Sequence, residues 1–341
     1  DDLGWEQSHQ TDFGLDFGFF GNSLQLTADY FYKRTEGMLQ VMPVPTYLGE
    51  SKPWGNVGEM SNSGIELDMN YRYSIGDFNF SIGANATYIK TILINAGNET
   101  GILDGGSFHQ MGTITRGQNG MVYPYFYGYK TDGVFQNWGE VYAYTNAEGK
   151  LVQPDAQPGD FRYQDINGDG SITAEGDRAN LGKCVPSWTY GINASIDWKG
   201  IDFSMVWQGV AGNKIFDATR RTDIPTMNQP KYVLNRWTGE GTTNDYPRFT
   251  VTDPNQNWSK ASDFFIKDAS YFRLKNVTLG YTLPVNWTNK IFVKKFRVYV
   301  ACENALTFTK YDGFDPEIAD YVDRGIYPQA RTVQFGANIT F

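Results

Sequence analysis

From Thr332 to Phe341 the chain alternates without a break. Val333, Phe335, Ala337, Ile339 and Phe341 are apolar, while Thr332, Gln334, Gly336, Asn338 and Thr340 are hydrophilic. Period two over this length predicts a β-strand with one oily and one hydrated face, and about ten residues is what a tilted strand needs to cross a bilayer. The signature recurs. Trp188, Tyr190, Ile192, Ala194, Ile196 and Trp198 alternate with Ser187, Thr189, Gly191, Asn193, Ser195 and Asp197, and Phe78 to Tyr88 and Ile65 to Arg72 behave alike. Further runs fall near 12–20, 24–36, 200–209, 271–283 and 295–306. Gly21-Asn22-Ser23 and Lys199-Gly200 supply tight turns between them, which predicts up-and-down antiparallel hairpins. About nine or ten spanning strands are expected on this pattern.

A soluble sandwich with a dry core and a barrel with a wet lumen give the same alternation. Side-chain chemistry separates them. The hydrophilic faces hold mainly Asn, Ser, Thr, Gly and Asp rather than Lys and Glu, and Tyr71, Tyr73, Tyr88, Trp188 and Trp198 sit at strand ends, where an interfacial girdle belongs. The expected fold is therefore all-β, made of antiparallel transmembrane β-barrel strands. Asp16, Asp29, Glu66, Asp68, Arg72 and Asp202 are expected to face the lumen and keep it hydrated.

Composition fits a wall better than a core. Only 40% of the 341 residues are hydrophobic while 16% are aromatic, as expected where apolar side chains form a lipid-facing band. No run approaches the roughly 20 apolar residues of a membrane helix. Thirty-eight acidic against 29 basic side chains exclude nucleic acid as a partner, because phosphate binding demands a basic surface. The two cysteines, Cys184 and Cys302, have no metal or redox spacing and are expected to be unpaired. No secretion signal opens the chain, which predicts a segment of a longer exported protein.

Long irregular stretches are expected at 38–60, 93–122, 132–184, 210–263 and 309–331. Barrels keep turns short on the periplasmic side and extend the extracellular loops, so function is expected in these excursions. Within them, Asp165, Asn167, Asp169 and Ser171, followed by Asp177, resemble the start of an EF-hand loop and suggest a calcium site. The loop departs from that pattern at its twelfth position, Gly176, where a bidentate Glu is needed. An Asx-rich turn without metal is the alternative. Tyr125, Tyr127, Tyr129 and Trp138 are candidates to stack on substrate in the vestibule, with girdle or loop packing as the other reading. His9 and His109 lack the spacing of a zinc site or nucleophile relay, so no enzyme is expected.

Several segments resemble SusC/RagA-type TonB-dependent transporters of the Bacteroidetes. They include Ala28-Asp29-Tyr30-Phe31-Tyr32-Lys33-Arg34-Thr35, the run from Gly55 to Glu66, Gly128-Tyr129-Lys130-Thr131-Asp132-Gly133-Val134-Phe135, and Pro158-Gly159-Asp160. The run from Asp268 to Tyr281, that from Glu303 to Tyr311, and Gly313-Phe314-Asp315-Pro316-Glu317 add to them. The resemblance implies that residues 1–341 are the carboxy-terminal part of a barrel of about 22 strands, without the amino-terminal plug and first barrel half. It further implies a bacterial outer-membrane protein that imports oligosaccharides or peptides under a SusD-like lipoprotein lid, with TonB acting through the amino-terminal part. Two other classes stay open: a secreted soluble calcium-dependent glycan-binding module, and a complete small porin.

Overall fold

The computed structural model describes residues 3–41, 53–220 and 228–341. The alternating runs form nine antiparallel strands in a single sheet whose spatial order is their chain order. They are β1 (Gln7–Phe19), β2 (Leu24–Val41), β3 (Trp54–Ile75), β4 (Phe78–Asn95), β5 (Trp188–Trp198), β6 (Ile201–Ala211), β7 (Tyr271–Thr282), β8 (Lys295–Thr309) and β9 (Thr332–Thr340). Register carries the alternation across the wall. Asp16 faces Thr27, Thr27 faces Asp68, Asp68 faces Asn85, Asn85 faces Gly191, and Gly191 faces Gln208. A slip of one residue at any ladder would throw one strand's oily set onto the hydrated side.

The opposite face is apolar and open. Leu15 and Leu67 are each 47% exposed, Leu279 50% and Ile339 51%. Among the described residues no second layer covers this side, so the sandwich reading and the soluble module it supports do not describe the wall. Eleven residues separate the girdle positions Trp188 and Trp198 inclusively. At about 3.3 Å per residue and a tilt near 40° the strand rises about 25 Å, the height of a barrel's apolar band.

The two ends of the wall differ. At one end β1 and β2 meet through 20–23, β3 and β4 through 76–77, and β5 and β6 through 199–200. Lys199 and Gly200 both take positive φ, 46° and 87°, as a two-residue hairpin turn with native twist requires. At the other end, excursions of 96–187, 212–270 and 310–331 leave the sheet. Within the expected irregular stretch at 38–60, the described residues 38–41 and 54–60 are strand instead, since β2 runs on to Val41 and β3 starts at Trp54; residues 42–52 lie outside the described residues. Stretches 93–122 and 132–184 belong to one excursion, whose four-stranded sheet places Tyr125–Tyr129 between Thr115–Gln118 and Arg178–Lys183. Among the described residues no ladder joins β1 to β9, so the wall is an arc and the self-closing porin reading fails.

The hydrophobic core lies in the excursions rather than on the sheet. Phe108, Ile114 and Phe126 from the first excursion pack with Phe216, Trp258 and Phe265 from the second and Val322 from the third. A parallel pairing of Phe216 and Asp217 with Val322 and Asp323 ties the last two together. Three loops thus share one dry interior, while Phe135, Val141 and Ala156 form a smaller cluster inside the first excursion alone.

Candidate functional site

The hydrated face gathers the six expected lumen residues. Asp16 accepts a hydrogen bond from Thr27 Oγ1 at 2.6 Å, Asp29 stands opposite Glu66, and Asp68 and Arg72 continue the same side of β3. Asp202 forms an ion pair with Arg297, accepting from its Nε at 2.8 Å. Their strands, β6 and β8, are separated by β7, and the pair closes over Gly280, where an added Cβ would lie 2.5 Å from Asp202 Oδ1. Only glycine leaves room for that span. Farther along, Ser81 and Ser195 share a hydroxyl hydrogen bond of 2.8 Å.

Two buried polar clusters hold the excursions in place. Asp160, fully buried, accepts from Arg248 Nε at 2.6 Å and Asn257 Nδ2 at 2.7 Å, with the Gln157 amide on its other oxygen. Asn257 Oδ1 accepts in turn from the Phe161 amide and from Asn255, and Asn255 accepts from Gln153. The cluster bolts the first excursion to the second. A buried polar network is stable only when every member is satisfied. Asn257→Ala strips a donor from Asp160 and an acceptor from Phe161, and is expected to destabilise the excursions by about 1–3 kcal/mol. Hydrogen exchange at the Phe161 amide checks this.

The second cluster stands at the lumen mouth. Both ladders of β7 skip Lys275, a bulge that re-aims side chains, so Arg273 and Lys275 both reach Glu317, at 2.7 and 2.9 Å. Arg273 also donates to Asp315 at 2.6 Å and to Thr307 Oγ1 at 2.9 Å. Burial alone would raise the Asp315 carboxyl, yet Arg273 and the Gln329 and Glu317 amides hold it below its ordinary range. Together they clamp the third excursion against the wall.

The expected vestibule aromatics part company here. Tyr125, Tyr127 and Tyr129 are buried in the excursion sheet, and their faces are taken. Arg116 and Arg178 lie 3.6 and 4.4 Å from the Tyr127 ring centroid, and Lys260 lies 5.5 Å from that of Tyr129. They serve as loop core, which corrects the substrate-stacking expectation; burial accordingly pushes the Tyr125 and Tyr129 hydroxyls up. Trp138 is exposed and stacks on Tyr142, with ring centroids 5.5 Å apart.

In the acidic loop the carboxylates are engaged by the loop itself. Asp165 accepts from the Gly168 and Gly170 amides, Asp177 from those of Ile166 and Thr173, and Asp169 from Ser171 and Asn167. Among the described residues no group of three or more His, Cys, Asp or Glu is placed to hold a metal ion. The cysteines are free, Cys184 inside the loop core and Cys302 on β8. In the sequence, Asp160, Arg273 and Asp315 lie inside segments that resemble the family, with no local feature to single them out. Their partners lie too far along the chain for spacing to reveal.

An open antiparallel wall with an oily outside, a hydrated inside and long excursions at one rim defines part of an outer-membrane β-barrel. The TonB dependent receptor-like, beta-barrel family matches residues 1–305, and the chain belongs to it. TonB-dependent receptor P3 of Formosa agariphila is 32% identical over 360 residues, covering 100% of this chain and 35% of that protein. TonB-dependent receptor SusC of Bacteroides thetaiotaomicron is 25% identical, covering 100% and 32%. Among solved structures, the RagAB peptide importer in its open-open state aligns with a TM-score of 0.79 at 24% identity, covering 100% and 35%. The RagAB peptide transporter aligns at 0.77 and 26%, covering 100% and 36%. The chain spans about a third of the length of these relatives.

Proposed function

We propose that the chain is the carboxy-terminal wall and extracellular rim of an outer-membrane importer of oligosaccharides or peptides, driven through TonB and lidded by a SusD-like lipoprotein. The observation that carries this reading is the two-faced sheet, whose exposed apolar band is stable only against lipid while its hydrated face offers polar side chains across nine strands. The similarity to SusC and to the RagAB chain supports the class of machine. Asp16, Asp29, Glu66, Asp68, Arg72 and Asp202 hydrate the lumen and meet the plug, and the excursions receive the lid. Trp138 stays a candidate substrate contact, being exposed on the rim.

The test uses the full-length protein in its native membrane. Uptake of labelled oligopeptides or oligosaccharides should stop when either this gene or TonB is deleted, and a surface lipoprotein should co-purify in detergent. Extraction without detergent, or uptake that survives loss of TonB, would overturn the reading.

The 165–177 loop has its carboxylates already occupied by amides, so a calcium ion would compete for oxygens in use. Adding or chelating calcium is expected to change stability by less than about 1 kcal/mol. A melting temperature that climbs with the logarithm of calcium concentration would instead assign the ion to this loop.

A further inference from the structure

The second and third excursions meet along one short parallel pairing, and acidic side chains crowd it. Phe216 donates its amide to Tyr321 O and Ala218 donates to Asp323 O, each at 2.9 Å, while Asp217 stands beside Asp323 in register. Apolar packing backs the pairing on both sides. Phe216 and Val322 lie in the interior that all three excursions share, and Ile215, the next residue along and hence on the opposite side of the strand, packs with Tyr311 and Ala269.

Asp217 lies two residues from Ile215 and so shares its side, where the third excursion brings Tyr311, Asp312 and Asp323. Asp323 is fully buried and well supplied with donors, the Tyr311 hydroxyl on one oxygen and the Gly325 amide on the other at 2.8 Å. Asp217 is not. The amide and hydroxyl of Thr219 both reach its Oδ1, at 3.1 and 2.6 Å, and among the described residues the third excursion donates nothing to it. Burial raises the Asp217 carboxyl first of all and Asp312 adds to this, against the opposing pull of Thr219 and Lys267. Tyr311 and Tyr232 both feel the Asp217 charge, and Arg220, which Tyr232 also feels, donates to Gln229 at 2.7 Å. Three carboxyls from two excursions thus crowd the pairing, and Lys267 is the ammonium that answers Asp217.

We propose that this junction is a proton-operated latch: a proton on Asp217 tightens the pairing of Phe216 and Asp217 with Val322 and Asp323, so that the rim stiffens as the medium acidifies. The proton removes a repelled charge and gives the carboxyl a donor of its own. A carboxyl raised in the folded state holds its proton more tightly there than in the opened state, so the junction gains stability as the pH falls toward about 4, the ordinary range of Asp, and loses it as the pH rises through the folded value. The Arg273 clamp has the opposite sign, because its Asp315 carboxyl is held low. The latch depends on how the excursions pack and is independent of which cargo is carried.

The full-length protein in lipid nanodiscs is compared at about pH 7.5 and about pH 4.5 by hydrogen exchange at the Phe216 and Ala218 amides, corrected for the intrinsic pH dependence of exchange. Both amides should exchange at least about threefold more slowly in acid. Asp217→Asn, neutral and of the same shape, should be slow at both pH values. Asp312→Asn should keep the pH dependence but move it to lower pH, because a repelling carboxyl is gone. Exchange at the Phe161 amide, held by Asn257 in a separate cluster, reports whether each variant still folds. Wild-type exchange that is equal at the two pH values, or faster in acid, overturns the proposal whatever the variants do. So does a folded Asp217→Asn variant with the wild-type pH dependence, which would assign the proton to another group.

Discussion

Ile192→Lys should destabilise the full-length barrel in a bilayer by about 2–4 kcal/mol, whereas Asn193→Lys, one residue on, should change it by less than about 1 kcal/mol. Ile192 lies near the middle of β5, between Trp188 and Trp198, on the apolar face, where it stands opposite Ala84 and Trp207. An ammonium there sits at the depth where lipid offers no partner and no water. Asn193 points the other way, opposite Gly83 and Val206, into the hydrated lumen. Equilibrium unfolding from lipid vesicles measures both. Equal penalties at the two positions would mean that the faces have been assigned the wrong environments.

Arg273→Gln should release the third excursion and cost about 3–5 kcal/mol, the penalty for leaving buried charge without its partner. Arg273 and Asp315 side chains are each only 4% exposed. Removing the guanidinium leaves Asp315 with backbone amides alone, while Lys275 still holds Glu317. Hydrogen exchange at the Glu317 and Gln329 amides should speed up roughly a hundred- to several-thousandfold, at about 1.4 kcal/mol per factor of ten, with the barrel strands unaffected. The clamp's pH dependence follows from the depressed Asp315 carboxyl. A folded-state value below the unfolded one stabilises fully at neutral pH and is lost as the pH falls through the folded value. The excursion should therefore stay clamped down to about pH 4, the unperturbed range of Asp, and loosen only in stronger acid. Loosening between pH 5 and 7 would point to a different titrating group.

The membrane wall was legible because period two is a direct property of the strand: 188–198 and 332–340 read off the string and recur in the structure with the same faces. What the string concealed was strand that needs no buried face. Trp54–Gly64 carries glycines, asparagines and serines typical of loops, yet it pairs with β2, and from Glu59 onward with β4 as well. The tyrosines of 125–129 failed for a related reason, since an aromatic residue suits a girdle, a platform or a core, and only the cations stacked on Tyr127 reveal which. Arg273 and Asp315 are 42 positions apart, a distance at which no spacing rule pairs an arginine with an aspartate.

Because Phe126, Phe265 and Val322 reach one common interior from three excursions, the rim should vary among relatives as a unit. A chimera that grafts one relative's 212–270 segment onto this scaffold would break side-chain packing in the other two excursions. A graft that folds would thus need all three segments to travel together, and evolution would be expected to edit the exposed crests while holding that interior fixed.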